Sequence, residues 1–441
     1  MKSIILFKNT FLFLFVTAFT GLSFVCNAQS KSKVESQKSK DYQVEIQTGA
    51  DQPEIYLPLL KDKKVGILTN QTGIIKLISK GPFSSEINSR GYNEYKELNQ
   101  NITIDKKFII DYLIEKKINV KKIYAPEHGF RGTADAGELI KDGKDTKTGL
   151  PIISLYGNNK KPTKEQLAGI DVMIFDLQDV GARFYTYISS LHYLMEACAE
   201  NNIPLIVLDR PNPKGATVDG PVLEMKNKSF VGMHPIPVLH GMTIGEYAQM
   251  INGEKWLNPS TGSGQALQCK LTIIPCKNYN KSMHYSLPVK PSPNLPNNTA
   301  INLYTSLCFF EGTNVSMGRG TEKQFQIYGS PFLKNMDFTF TPKPNDGAKD
   351  PVHNGIKCFG EDLSNNLTIE GLSLQWLLKA YKNTDSKEKF FNNFFIKLAG
   401  TDKLQKQIEK GLTEKEIRET WKADIEKFKK TRKKYLLYTD F

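Results

Sequence analysis

Six polar segments hold the residue types that could do chemistry. Four of them each follow a short apolar run. They are Thr69-Asn70-Gln71-Thr72-Gly73, Ala125-Pro126-Glu127-His128-Gly129-Phe130-Arg131-Gly132, Asp176-Leu177-Gln178-Asp179-Val180-Gly181-Ala182-Arg183 and Asp209-Arg210-Pro211-Asn212-Pro213. The other two come later. Pro291 to Pro296 is a rigid stretch with few free backbone donors, and Phe310 to Thr321 is a glycine-containing loop whose backbone could approach a ligand. That loop supplies Glu311, Asn314, Ser316 and Arg319: a carboxylate, an amide, a hydroxyl and a fixed cation.

Among the acids in these segments, Glu127, Asp176, Asp179 and Glu311 are the candidates for chemistry. Breaking a glycosidic bond needs a protonated carboxyl to donate to the leaving oxygen, and a second group to stabilise or attack an oxocarbenium-like centre. Phe130, Tyr185 and Tyr187 could stack on a pyranose face, although each aromatic alone reads more readily as core. A lone Asp after a strand is ordinarily a helix cap. Four polar clusters at one sheet edge point instead to a site.

Other chemistries lack their signatures. No G-x-G-x-x-G follows a strand, and neither a Walker A loop nor a G-x-S-x-G elbow occurs. H-E-x-x-H is absent, so no metal site and no cofactor are expected.

Parallel strands would position these clusters. Continuous apolar runs at 65–68, 171–175 and 204–208 suggest strands buried on both faces, with a weaker strand at 119–124 and a further candidate at 151–155. Between the last two, Tyr187, Leu191, Leu194, Met195 and Cys198 recur at helical spacing, which makes a βαβ unit. The expected fold class is therefore α/β, a Rossmann-like doubly wound parallel sheet domain. Ligands of such sheets bind beyond the carboxyl ends of the strands. A smaller α-rich (α+β) C-terminal domain is expected from about residue 286. There Thr413 and Glu416 form a capping box ahead of Ile417, Trp421, Ile425 and Phe428. With 441 residues, two domains are the natural division.

Residues 1–28 read as a secretory signal: Lys2 and Lys8, an apolar run from Phe11 to Val25, then Cys26-Asn27-Ala28 before a cut at Gln29. A retained anchor, or a lipoprotein processed before Cys26, are the alternatives. Residues 29–52, rich in Ser, Lys, Gln and Glu, are expected to be a flexible tether. The protein is then periplasmic or extracellular, with no stable membrane span after cleavage. A mean hydropathy of −0.39 excludes a multi-span membrane protein. The formal charge of +13 suits anionic wall polymers, though a solvated helix face explains it as well, and no nucleic-acid motif accompanies it. Five cysteines would remain. Cys269 and Cys276 could pair, or all could be buried thiols.

The segments LTNQTG, APEHGFRG, FDLQDVGARFYTY, DRPNP, HGMTIGEYA, PSPN and FFEGTNVSMGRGT, in this order, resemble the NamZ-type exo-β-N-acetylmuramidases. The resemblance implies a site in a cleft between a Rossmann-like domain and a smaller C-terminal one. It implies release of terminal, non-reducing β-1,4-linked N-acetylmuramic acid from peptidoglycan-derived disaccharides or glycan strand ends. Family motif positions fall on Glu127, His128, Asp176, Asp179, Arg183 and the Glu311–Arg319 loop. Met317 and Asp219 depart from the family pattern. On this basis Glu127 is the expected general acid, held rigidly between Pro126 and His128. Asp176 or Glu311 is the partner carboxylate. Arg183 or Arg319 grips the lactyl carboxylate, Asn70 and Asn314 read the N-acetyl group, and Tyr185 contacts the sugar. A non-catalytic wall-sugar binding protein and a metal-dependent wall hydrolase are the competing readings.

Overall fold

The computed structural model describes residues 45–80, 102–127, 129–130, 142–258, 267–365, 369 and 371–440. The signal at 1–28, its cut before Gln29, and His128 lie outside the described residues.

Six parallel strands form the central layer. Numbered along the chain within that layer, they are β1 (Val65–Thr69), β2 (Val120–Ala125), β3 (Pro151–Ser154), β4 (Val172–Asp176), β5 (Leu205–Leu208) and β6 (Leu271–Ile274). Their spatial order is β3-β2-β1-β4-β5-β6, with the short pair Gly143–Lys144 antiparallel on the outer edge of β3. This is the doubly wound Rossmann order, reversing direction between β1 and β4.

Every residue of β1, β4 and β5 is buried. The strand period of two sends alternate side chains to opposite faces. Leu68, Met173, Phe175, Leu205 and Val207 pack with Leu191, Leu194 and Met195 of the helix Tyr187–Glu200. Ile67, Ile174, Ile206 and Leu208 pack with Tyr56, Leu60, Ile109, Ile110 and Leu113 of the helices Pro53–Leu60 and Ile109–Glu115 on the other face. The continuous apolar runs at 65–68, 171–175 and 204–208 thus form strands buried on both sides, whereas β2 and β3 keep exposed residues.

Two elements escaped that reading. β6 has a weakly buried pattern and carries the polar Thr272, which dilutes its signal. The antiparallel hairpin Ile74–Lys80 with Ile102–Phe108 forms a sheet of its own. The expected tether also ends before residue 52. Gln47 pairs antiparallel with Lys277, and Gly49 packs where a Cβ would meet the Ile274 carbonyl at 2.3 Å.

The C-terminal portion begins with the helix Asn298–Leu307. It contains a three-stranded antiparallel sheet with Cys358–Asp362 between Ile327–Ser330 and Phe338–Phe340. Helices follow, ending in Glu414–Arg432, which is capped reciprocally by Thr413 and Glu416 and buries Ile417, Trp421, Ile425 and Phe428. From Glu45 onward the chain forms one compact unit, with an apolar cluster running from the parallel sheet into these helices. The five described cysteines are free and buried. No helix among the described residues is long and apolar enough to cross a membrane.

Candidate active site

The reversal point of the sheet is filled by the protein's own side chains. Thr69 and Asp176 are partners in register at the ends of β1 and β4. Asp176 is fully buried and receives two hydrogen bonds from Arg210, Nε to Oδ1 at 2.6 Å and Nη2 to Oδ2 at 3.1 Å. Burial pushes the Asp176 carboxyl upward and the Arg210 charge opposes it. A third guanidinium bond, from Arg210 Nη2 to the Ile74 carbonyl, ties the hairpin to this point. Asp176, expected as a catalytic carboxylate, is thus paired with Arg210 and lines no part of the cleft described below.

Asn70 is similarly paired. Its Nδ2 donates to the Tyr187 hydroxyl at 2.6 Å, and its Oδ1 accepts from both the amide and the hydroxyl of Thr72. It is fully buried, braces Tyr187 and lines no part of the cleft described below.

Arg183 is the clearest departure. Its guanidinium is completely buried. Nη1 donates to the carbonyls of Pro221 (2.7 Å) and Ile236 (2.8 Å), and Nη2 to those of Leu398 and Ala399 (both 2.8 Å). Leu398 and Ala399 end the helix Phe394–Ala399, where a cation suits the negative end of the helix dipole. Gly400 follows with φ +76°, and a Cβ there would lie 2.7 Å from Nη2. Desolvation pushes the Arg183 pKa down to about 9. It is a knot between backbone segments and lines no part of the cleft where a lactyl carboxylate was expected.

Asp179 lies behind the site. Oδ2 accepts from the Gly181 amide at 2.7 Å, His240 Nε2 is 3.9 Å from it, and Oδ1 is buried without a hydrogen-bond partner among the described residues. Burial raises its pKa to about 7. It lines no part of the cleft described next. Asn314 is also off the cleft wall. Its carbonyl accepts from His353 and Ser330, while its side-chain amide is buried without partners among the described residues.

The remaining sequence-derived residues converge. A cavity of about 250 Å³ is walled by Glu127, Tyr185, Glu311 and Arg319 together with residues from both halves of the chain. Glu127 lies on the turn two residues beyond β2, and its Oε2 accepts a 2.7 Å hydrogen bond from Thr186. Glu311 sits in the short 3₁₀ turn Cys308–Gly312 after the helix Asn298–Leu307. Arg319 is presented between Gly318 and Gly320, both at positive φ (+83° and +78°), a conformation glycine adopts without strain. Its Nη1 is 3.6 Å from Glu311 Oε1, with side-chain exposures of 21% and 27%, so both remain reachable from solvent. Burial raises the Glu311 pKa, the Arg319 charge opposes this, and the Glu127 charge adds to it, so the two carboxylates sense each other. Arg319 and Glu311 also wall an adjoining cavity of about 270 Å³.

Aromatic residues shape the inner wall. The Tyr185 hydroxyl donates to the Pro291 carbonyl at 3.0 Å, and its ring meets Tyr187 edge-on at 4.8 Å and Tyr304 at 5.8 Å. Thr186, Tyr156, Phe230, Ser292, Asn294, Tyr304, Phe325 and Phe394 were not singled out as site residues from sequence. Thr186, Ser292 and Asn294 lie inside the FYTY and PSPN segments, so position within a motif could have found them. Phe230 and Phe394 lie in no such segment and carry no local signal.

Comparison with known proteins agrees along the whole chain. Residues 98–299 match the family model for the exo-β-N-acetylmuramidase NamZ N-terminal region, and 302–438 match that for its C-terminal region. The peptidoglycan β-N-acetylmuramidase NamZ of Bacillus subtilis (strain 168) is 34% identical, over 98% of this chain and 100% of that protein. Two crystal structures of DUF1343 family proteins from Bacteroides fragilis NCTC 9343 share the fold. One has a TM-score of 0.76 at 43% identity, covering 90% of this chain and 100% of its own. The other has 0.67 at 27%, covering 89% and 99%. The chain belongs to the exo-β-N-acetylmuramidase NamZ family.

Proposed function

We propose that this protein is an exo-acting glycoside hydrolase that releases terminal, non-reducing β-1,4-linked N-acetylmuramic acid from peptidoglycan fragments during wall turnover. The observation that carries the reading is the placement of Glu127 and Glu311, from opposite halves of the chain, on the wall of one cavity. Glu127 serves as the acid that protonates the leaving oxygen, oriented by Thr186. Glu311 serves as the carboxylate facing the oxocarbenium-like centre, where it stabilises or attacks the anomeric carbon or activates water. Family membership supports the same chemistry, since the Bacillus subtilis relative is a peptidoglycan β-N-acetylmuramidase.

N-acetylmuramic acid differs from N-acetylglucosamine by a lactyl ether that adds a carboxylate. Arg319 is the cation for it. A guanidinium offers five donors in a planar fork and can serve two carboxylates at once. Arg319 stands beside Glu311 and faces both adjoining cavities, which gives room for a substituent on the ring. Export with cleavage before Gln29 belongs to the same reading, because the substrate lies outside the cytoplasmic membrane. N-terminal sequencing of the native protein tests it.

The test of function compares kcat/KM for matched aryl β-glycosides of N-acetylmuramic acid and N-acetylglucosamine. Wild type should strongly prefer the first, and Arg319→Ala should lose most of that preference. A wild type that turns over neither sugar would make this a binding protein. One that cleaves both equally would remove the muramic-acid assignment.

A further inference from the structure

Thr186, Ser189 and Tyr193 follow one another at i, i+3 and i+7 along the start of the helix Tyr187–Glu200, so they share one face. Thr186 holds Glu127. Ser189 Oγ donates to the Phe230 carbonyl at 2.7 Å, and the Tyr193 ring stacks on Phe230 at 6.2 Å with planes 23° apart. The Phe230 carbonyl is thereby held roughly 4.5 Å of axial rise, and its ring roughly 10 Å, from the group that orients Glu127. Tyr156, from the loop after β3, meets Phe230 at 6.3 Å. That loop is anchored to the same helix, with Lys161 Nζ 2.7 Å from both Glu196 and Glu200.

Tyr156 and Phe230 line the cavity beside Glu127 and are half-buried. The inner aromatics Tyr185, Tyr187, Tyr304 and Phe325 are buried. Glu311 and Arg319 come from the other half of the chain.

We propose that Tyr156 and Phe230 form the subsite for the leaving-group sugar. This rests on the reading of Glu127 as the acid. The acid must touch the bridging oxygen, and that oxygen departs with the leaving sugar, so the leaving sugar lies on the Glu127 side. The pair anchored to the same helix face as Glu127 is on that side. A pyranose presents an apolar face of ring hydrogens, and a partly exposed aromatic pair is its complement. The Lys160 ammonium, 5.0 Å from the Phe230 ring centre, is the flexible group a sugar would displace. Anchoring of both residues to one helix pre-organises the subsite.

The experiment compares two substrates that both need protonation of an alkoxide. One is the disaccharide of N-acetylmuramic acid β-1,4-linked to N-acetylglucosamine. The other is methyl β-N-acetylmuraminide, whose leaving group has no ring. For Phe230→Leu and Tyr156→Ala, the loss of kcat/KM on the disaccharide should exceed the loss on the methyl glycoside by roughly tenfold, chiefly through KM. Phe230→Leu keeps an apolar contact for Tyr193 and guards against loss of fold. Equal losses on the two substrates in both variants would overturn the subsite. Glu127→Gln tests the acid separately: it should depress both alkyl substrates together and spare an activated aryl glycoside.

Discussion

The Thr186 hydroxyl donates a 2.7 Å hydrogen bond to Oε2 of Glu127, joining the turn beyond β2 to the start of the helix that follows β4. The bond fixes the orientation of one carboxyl toward the cavity. Glu127→Gln should cut turnover of poor leaving groups by roughly 10²–10⁴, the usual worth of general acid catalysis. Thr186→Val should lower kcat by a smaller factor, and Thr186→Ser should restore most of it. Steady-state kinetics on the disaccharide reads both. Equal loss on activated and unactivated glycosides in Glu127→Gln would make the residue a binding group.

Arg183 satisfies four buried carbonyls, so its removal should be felt as instability before it is felt in specificity. Arg183→Met leaves those acceptors unpaired in a dry site and should cost roughly 3 kcal/mol or more. Urea unfolding measures this, and the folded variant should keep its preference for muramic acid over glucosamine. A stable variant with lost preference would return Arg183 to the substrate.

The pH profile should report Glu311. Burial raises its pKa and Arg319 holds it down. If Glu311 works ionised, activity falls as pH drops through that pKa. Arg319→Ala removes the opposing charge, so the acidic limb of kcat/KM should move to higher pH, and Arg319→Lys should move it less. A limb that stays in place would separate Glu311 from the rate.

Asp179 should contribute to stability with the opposite sense from a salt-bridged acid. Its folded pKa is raised from 3.8 to about 7 by burial. Below 3.8 both states are protonated and the full contribution is present. As pH rises through about 7 the folded protein must ionise a buried group, and the contribution is lost. Asp209, raised to about 6 by burial, adds to the same slope. Asp179→Asn should flatten the decline of unfolding free energy between about pH 4 and 7, leaving the share of Asp209. An unchanged slope would mean that Asp179 does not titrate in this range.

The layered fold was legible because burial on both faces leaves a mark in one dimension. The runs at Val65, Asp171 and Pro204 contain little but apolar residues, and they are the strands whose every residue is buried. β6 was not legible because it is an edge strand, half-covered and carrying Thr272, and such strands need few apolar residues. The motif order was enough to indicate the family, since it spans segments from β1 to the Arg319 loop.

Within those motifs, sequence set the inventory of chemical groups and tertiary structure assigned their use. Asp176 and Arg183 carry the same chemical groups as Glu311 and Arg319, a carboxylate and a guanidinium, and with Asn70 they stand in equally suggestive segments. Packing gave Asp176, Arg183 and Asn70 to Arg210, to four backbone carbonyls and to Tyr187. It left Glu311 and Arg319 on the cleft wall with part of their side chains exposed. The reason is physical: a charge or amide becomes functional only where the fold leaves it reachable, and partners such as Arg210 or the Leu398 carbonyl come from far along the chain. The sequence alone determined which elements form and which groups they carry. Only the tertiary structure decided which of those groups are buried among the elements they join and which line the cleft.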